Sequence, residues 1–138
     1  MKSRDTLLRL KRFQVDERRR RVAQIEMMIA EFERMAADLG REIAAEEQKA
    51  GISDPAHFAY PTYARAASQR RDNLRESAQN LHRQLDDAKA ELGEAFEELK
   101  KAESLDDRER SAERTVEAAR EQTAMNQFGQ QRAMRSSM

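Results

Sequence analysis

A chain of 138 residues, 38% of them charged and only 5% aromatic, lacks the apolar side chains of a compact sheet or turn-rich fold, and its composition indicates long helices. Basic and acidic residues number 26 each, which excludes an overall charge that would draw the chain to nucleic acid or to an anionic membrane. The absence of cysteine excludes disulfides, a thiol nucleophile and cysteine-based zinc sites.

Charge is nevertheless unevenly distributed along the chain. Residues 1–21 hold nine basic and three acidic side chains, a net charge of +6. Residues 86–121 hold seven basic and 13 acidic side chains, a net charge of −6. Opposite charges in two distant segments predict that these segments lie side by side.

The first predicted element is a helix from about residue 5 to residue 50. Apolar side chains in its central stretch recur at alternating steps of three and four residues, a spacing that is typical of a coiled-coil seam. The pattern extends backwards to Leu8 and forwards to Ala50. At ~1.5 Å per residue the helix is roughly 70 Å long, and it needs a partner to bury its apolar stripe. The central seam consists of Val22, Ile25, Ile29, Phe32, Ala36, Leu39 and Ile43.

A break follows at residues 51–61. Gly51 is a helix-stop signal, and Asp54 with Pro55 has the pattern of a cap followed by a short helical turn. Pro61 is suited to open the next helix because proline is favoured at the first helical position. The sequence therefore predicts a loop here.

The second predicted helix runs from about residue 61 to residue 124. From Leu74 to Ala102, Leu and Ala take turns on one face, again at alternating steps of four and three. Beyond Ala102 the most apolar continuation passes through Leu105 and needs two successive steps of three, a stammer. The pattern fails at Asn126, so residues 125–138 are predicted to be a flexible tail.

Together the two seams predict an all-α fold, a long two-helix antiparallel coiled-coil hairpin that forms a single domain over residues 1–138. With the loop centre near residue 56, residue i is expected near residue 112 − i. The rival, a parallel coil of two chains each forming one continuous helix, is disfavoured by Gly51, Pro55 and Pro61. The second helix is the longer, so its end projects beyond the first, either as a contact for another protein or as a frayed end.

Catalytic and ligand motifs are not found. His57 and His82 are not at the i,i+4 spacing of a helical metal site, and neither has a third ligand nearby in the pattern. We therefore expect no enzyme activity, no metal and no cofactor. The sharpest charge run is Arg18, Arg19, Arg20 and Arg21, which could contact phosphates or an acidic protein surface. The acidic protein surface is favoured, because no aromatic residues are interleaved with the arginines.

The order of these features resembles the FliJ family of flagellar export proteins, in the form seen in alphaproteobacterial members. The resemblance covers nearly the whole chain, and no single motif carries it. Besides the first seam and the Leu/Ala face of the second helix, the matching segments are Leu7-Leu8-Arg9-Leu10-Lys11-Arg12-Phe13, Gly51 through Asp54-Pro55, Tyr60-Pro61-Thr62-Tyr63, and a tail with Phe128 and Arg132-Ala133-Met134-Arg135.

The resemblance implies an antiparallel coiled coil similar to the two-helix stalk of the rotary ATPase gamma subunit. It implies a component of the flagellar type III export apparatus that binds and regulates the hexameric export ATPase. Further implied partners are the cytoplasmic domain of the export gate and the export chaperones. The expected localisation is cytoplasmic, peripherally associated with the export apparatus at the inner face of the cell membrane. We expect a monomer when free, without nucleic acid and without membrane insertion.

Residues of the loop-proximal half that correspond to the gate contacts of the family are Leu39, Tyr60 and Tyr63. For the ATPase contact we expect Arg18 to Arg21 and the segment 116–128, with Val116, Ala119 and Phe128. The alternative function is a generic coiled-coil secretion chaperone or structural adaptor without effect on an ATPase. A nucleic-acid binder ranks third.

Overall fold

Two α-helices make up the computed structural model, which describes residues 2–136, with only the backbone described for Lys2. Helix α1 spans Lys2–Ala50 and helix α2 spans Thr62–Ser136. Within the described residues no strand is present. The predicted all-α fold with a longer second helix is therefore confirmed, and α1 begins three residues earlier than expected.

The break between the helices has the predicted chemistry. Gly51 ends α1 in the left-handed region, at φ +68°, which residues with a Cβ avoid. The Asp54 carboxylate accepts a hydrogen bond from Ala56 N at 3.0 Å and closes a short turn. The Pro61 carbonyl accepts the first hydrogen bond of α2, from Arg65 N at 3.1 Å. Pro61 thus caps α2, which begins one residue later than predicted.

Two compact units divide the described chain. We call residues 13–95 the loop unit, and residues 2–12 with 96–136 the terminal unit. In each unit, later residues of α2 meet earlier residues of α1, so the two helices run antiparallel. The prediction of one coiled-coil domain over residues 1–138 stays a prediction.

The core of the loop unit is the predicted seam of α1 packed on the Leu/Ala face of α2. All seven central seam residues of α1 are buried or half-buried. One cluster is centred on Ile25, which is 1% exposed and is the largest fully buried side chain. The buried members of that cluster are Ile25, Ile29, Leu81, Leu85 and Ala88, with Val22 and Phe32 packed against them.

Ion pairs between the helices show the register. The expected rule places Arg18 opposite residue 94, and its partner in the loop unit is Glu91 at 3.3 Å. In the terminal unit the rule places Lys11 opposite residue 101, and its partner is Glu98 at 2.8 Å. Both partners lie three residues, about one helical turn, from the expected position. The basic start of α1 and the acidic segment of α2 therefore do lie side by side.

The end of α2 differs from the prediction. The helix continues to Ser136, twelve residues beyond the predicted end at Ala124. The residues after Asn126 lack a seam, but they are rich in Gln, Met, Ala and Arg, which have good helix propensity, and Gly129 alone does not stop the helix. The predicted end of the second helix near residue 124 was therefore wrong, whereas the flexibility predicted for the tail stays a prediction, and residues 137 and 138 lie outside the described residues.

The predicted stammer after Ala102 is also wrong. Leu105 is 54% exposed, whereas Asp106 is 8% exposed and buried. The step of four from Ala102 to Asp106 keeps the alternation of four and three that precedes it. The face of α2 that meets α1 therefore continues in register, with a carboxylate in place of an apolar side chain.

Candidate protein-binding surfaces

The C-terminal part of α2 is the largest exposed helical surface in the terminal unit. Every residue from Asp107 to Ser136 is exposed. Large apolar side chains recur along it, among them Val116, which is 50% exposed, and Phe128, which is 66% exposed. We call residues 114–136 the overhang. A shallow groove on it is lined by Val116, Ala119, Arg120, Thr123, Ala124 and Gln127.

The predicted ATPase residues of α2 are all on the overhang, but on different sides of it. Val116 and Ala119 line the same groove, whereas Phe128, nine residues after Ala119, lies on the opposite side of the helix. Two further exposed apolar residues of the overhang, Met125 and Met134, were not predicted as contacts. The groove with Val116 and Ala119 is therefore the part of the overhang whose residues follow the three- and four-residue spacing of a docking helix.

The four arginines of α1 do not act as one patch. Arg18 pairs with Glu91 of α2, with both side chains about half exposed. Arg19 approaches Asp16 on its own helix at 4.0 Å. Arg20 and Arg21 are exposed, and no ion pair joins them to other residues of the described chain. The run therefore divides into one arginine that contacts α2 and others that face solvent.

Of the three residues predicted near the loop, two are packed into the core of the loop unit. Tyr60 is buried with Ile43, Ala64 and Ala67, and Leu39 packs against the same cluster. The guanidinium of Arg65 lies 5.5 Å from the centre of the Tyr60 ring. These contacts stabilise the loop, so a binding role for Leu39 and Tyr60 stays a prediction.

Tyr63, the third predicted residue, is exposed at the start of α2. Its hydroxyl donates a hydrogen bond of 2.6 Å to Glu42 Oε2 of α1. This hydrogen bond and the negative charge of Glu42 raise the pKa of Tyr63 above its ordinary value, because both disfavour the phenolate. Its ring therefore has a defined position on the loop end.

The loop also presents Phe58, which is 94% exposed and was not predicted as a contact. Its ring stacks on His57 with the centroids 4.8 Å apart. The His57 ring is held in turn, because its Nδ1 accepts a hydrogen bond of 3.0 Å from Ala59 N. An aromatic side chain between turn residues was the signal in the sequence that could have marked this position.

An ionic cluster between the helices in the terminal unit was not predicted either. Arg4 of α1 lies 3.0 Å from both Glu109 and Glu113 of α2, and 3.7 Å from Asp106. Arg110 pairs with Asp106 at 3.0 Å. Burial alone would lower the pKa of Arg4, but the hydrogen bonds and charges of Glu113 and Glu109 raise it on balance.

Within the described range, no three His, Cys, Asp or Glu side chains converge closely enough to hold a metal ion. His82 Nε2 lies 3.4 Å from a carboxylate oxygen of Glu33, which makes one cross-helix contact. In residues 2–136 no helix combines the length and apolar character that a membrane crossing requires.

The two antiparallel helices, the heptad-like seam and the exposed end of α2 define a two-helix coiled-coil protein. The chain belongs to the FliJ family, because the family model described as "Flagellar FliJ protein" matches residues 1–137. Membership of this family implies a component of flagellar export. Neither a curated protein nor a solved structure matches the chain significantly.

Proposed function

We propose that this protein binds and regulates the hexameric ATPase of flagellar export, and couples it to the cytoplasmic domain of the export gate and to export chaperones. Membership of the FliJ family supports the setting of this proposal. The observation that carries it is the overhang, a helical surface with exposed apolar side chains and no partner helix among the described residues. The protein acts by binding and has no chemistry of its own.

The overhang is the proposed ATPase contact, together with the outward arginines of α1. Val116 and Ala119 supply apolar contact area on one side of the helix and Phe128 supplies it on the other, which suits a helix enclosed between subunits of a ring. Arg20 and Arg21 of the loop unit suit acidic groups of the ATPase. Because exposed ion pairs contribute little affinity, the apolar contacts supply most of the binding energy.

The loop end is the proposed contact for the export gate. Tyr63 and Phe58 are the exposed aromatic side chains there, and aromatic residues are frequent anchors of protein interfaces.

The proposal also includes the oligomeric state and the location of the protein. The protein is monomeric when free and is held at the inner face of the cell membrane by its partners. It is cytoplasmic and does not insert into the bilayer.

The test measures ATP turnover and the fraction of hexameric rings after the protein is added to the purified export ATPase. Wild-type protein should raise both quantities and hydrolyse no ATP alone. A truncation after Thr115 should abolish the stimulation, while it keeps Glu109 and Glu113, the partners of Arg4. Turnover and ring fraction that do not change on addition of the wild-type protein would refute the proposal.

A substitution in the loop is the matched control that tests the proposed gate contact and the proposed ATPase contact independently. Phe58→Ala removes the most exposed aromatic side chain of the loop and leaves the overhang intact. It should stimulate the ATPase as wild type does, but bind the purified gate domain more weakly. If Phe58→Ala and the truncation lower stimulation equally, the overhang is not the ATPase contact.

A secretion chaperone or adaptor without effect on the ATPase is the second candidate. The exposed Met125, Phe128 and Met134 favour it, because flexible methionines beside an aromatic ring suit varied apolar segments. Such a protein would suppress aggregation of unfolded export substrates and leave ATP turnover unchanged. The same truncation distinguishes the two candidates when turnover and aggregation are measured in parallel.

A further inference from the structure

The last layer of the helix pair in the terminal unit is ionic, although the residues just before it on the two seams, Leu8 and Ala102, are apolar and buried. A step of four back from the buried Leu8 reaches Arg4 on the seam of α1. A step of four onward from the buried Ala102 reaches Asp106 on the corresponding face of α2, and the next steps reach Glu109 and Glu113. Arg4 therefore takes the seam position on one helix, and three carboxylates take it on the other.

Arg4 is the anchor of the first described turns of α1. Of residues 3–7, only Arg4 is partly buried, and Leu8 is the first buried apolar side chain. The Arg4 side chain is 17% exposed and that of Asp106 is 10% exposed. A guanidinium held by carboxylates on several sides has good geometry for paired contacts. Before Leu8, these ion pairs take the place of apolar packing.

The cluster is not electrically neutral. Asp106, Glu109 and Glu113 of α2 carry three negative charges, and Arg4 and Arg110 carry two positive charges. Asp5 of α1 lies 3.6 Å from Arg110 and adds a fourth negative charge, so the six groups sum to −2. Detaching the first turn of α1 removes Arg4 and Asp5 together, so the α2 groups keep a charge of −2 but lose the guanidinium that contacts three of their carboxylates. The first turn of α1 is therefore held chiefly by electrostatic attraction, which salt weakens.

We propose that the first turn of α1 is a releasable strap, held on α2 by Arg4 and able to detach while the apolar seam stays closed. Detachment lengthens the part of α2 that has no partner helix, and it exposes the carboxylates of Asp106, Glu109 and Glu113. The strap thus sets how much of the end of α2 is open to a partner protein. This inference does not depend on which partner binds there.

Distances between spin labels in the full chain test the strap. The chain has no cysteine, so labels can be placed at Ser3→Cys and Ser104→Cys, two exposed positions of the terminal unit. A control pair at Ala23→Cys and Asp87→Cys, also exposed, lies across the helices of the loop unit, whose core is apolar. Raising salt from about 0.01 M to about 1 M shortens the Debye length from ~30 Å to ~3 Å. The population with a long Ser3–Ser104 distance should rise about five- to tenfold, as expected when several ion pairs are screened, and the control pair should not change.

The substitution Arg4→Met removes the positive charge that attracts the carboxylates of α2 and keeps an aliphatic side chain at this position. Arg4→Met should give the long distance already at low salt and should abolish the salt response. Arg9→Met is the matched control, because Arg9 is an exposed arginine on the same helix. Circular dichroism checks that each variant stays helical, and the charge swap of Arg4→Glu with Glu113→Arg should restore part of the closed population. A short distance that resists both salt and Arg4→Met, or a long distance in the wild type at low salt, would overturn the proposal.

Discussion

The Tyr63 hydroxyl donates a hydrogen bond of 2.6 Å to the carboxylate of Glu42 and so joins the start of α2 to the last turns of α1. The two residues are 21 positions apart in the chain, with the loop between them. The hydrogen bond lies beside the buried cluster of Ile43 and Tyr60, which holds both helices in position. It ties an exposed aromatic ring of the loop end to the core.

Ionisation of Tyr63 should weaken the fold at high pH. The pKa of Tyr63 is raised in the folded state, so its stabilising contribution is fully present below the ordinary tyrosine pKa of about 10 and is lost as pH rises through the raised value. The absorbance titration at the phenolate band should show one tyrosine ionising late, and Tyr63→Phe should remove that step. Urea unfolding above pH 10 should then be less pH-dependent in Tyr63→Phe than in wild type. An identical dependence would show that the hydrogen bond to Glu42 does not persist in solution.

Glu98 should make the terminal unit sensitive to acid. The hydrogen bond from Lys11 Nζ, at 2.8 Å, and the charge of Lys11 lower the pKa of Glu98 below its ordinary value. Because the pKa of Glu98 is lowered in the folded state, its ion pair with Lys11 stabilises the fold above the ordinary glutamate pKa. This stabilisation is lost as pH falls through the lowered value. NMR titration of the Glu98 carboxyl should give a midpoint below the ordinary pKa of glutamate. Lys11→Met should return the Glu98 midpoint to the ordinary range, and a midpoint that Lys11→Met leaves unchanged would refute the pair.

Among substitutions of apolar residues in the loop unit, Ile25→Ala should lower the free energy of unfolding the most. Ile25→Ala leaves a cavity in a cluster that excludes water, and such changes cost about 2–5 kcal/mol of unfolding free energy. Met27, two residues away, is 72% exposed, so Met27→Ala should change the unfolding free energy by less than about 0.5 kcal/mol. Chemical denaturation of both variants measures the difference. Equal effects would mean that the seam is not the core.

Two glycine substitutions should have opposite signs. Gly51 adopts φ +68°, where a Cβ is strained, so Gly51→Ala should destabilise the protein by about 1–2 kcal/mol. Gly93 lies within α2 and a Cβ there meets no atom within 4 Å, so Gly93→Ala should stabilise by about 0.5–1 kcal/mol. Thermal unfolding of the two variants checks the signs. A stabilising Gly51→Ala would show that the helix stop is not where the structure has it.

Local patterns predicted the fold well because they depend on neighbours in the chain. The alternation of three and four residues identified the buried face of α1 before any partner was known, and Gly51 with Pro61 marked the break. The same reasoning fails at the end of α2, because the loss of an apolar seam does not end the helix there. Residues 125–136 are helical with every side chain exposed, because helix propensity does not require an apolar face.

The candidate surfaces were predicted only in part. The overhang and its residues Val116, Ala119 and Phe128 followed from the unequal helix lengths. The packing of Leu39 and Tyr60 into the core did not follow from the sequence, because spacing along the chain cannot show that the loop folds these side chains into a cluster. Exposure of Phe58 depends in the same way on how the turn residues arrange the loop.

By itself the sequence determined the helices, their antiparallel pairing and the register to within about one turn, since these depend on periodicity, glycine and proline, and on the balance of charge. Only the tertiary structure decided that Asp106 is buried on the seam while Leu105 is exposed. An isolated carboxylate strongly favours water, so no local pattern predicts its burial. Its burial depends on Arg4, which lies more than a hundred residues earlier in the chain and reaches Asp106 only once the two helices are in register.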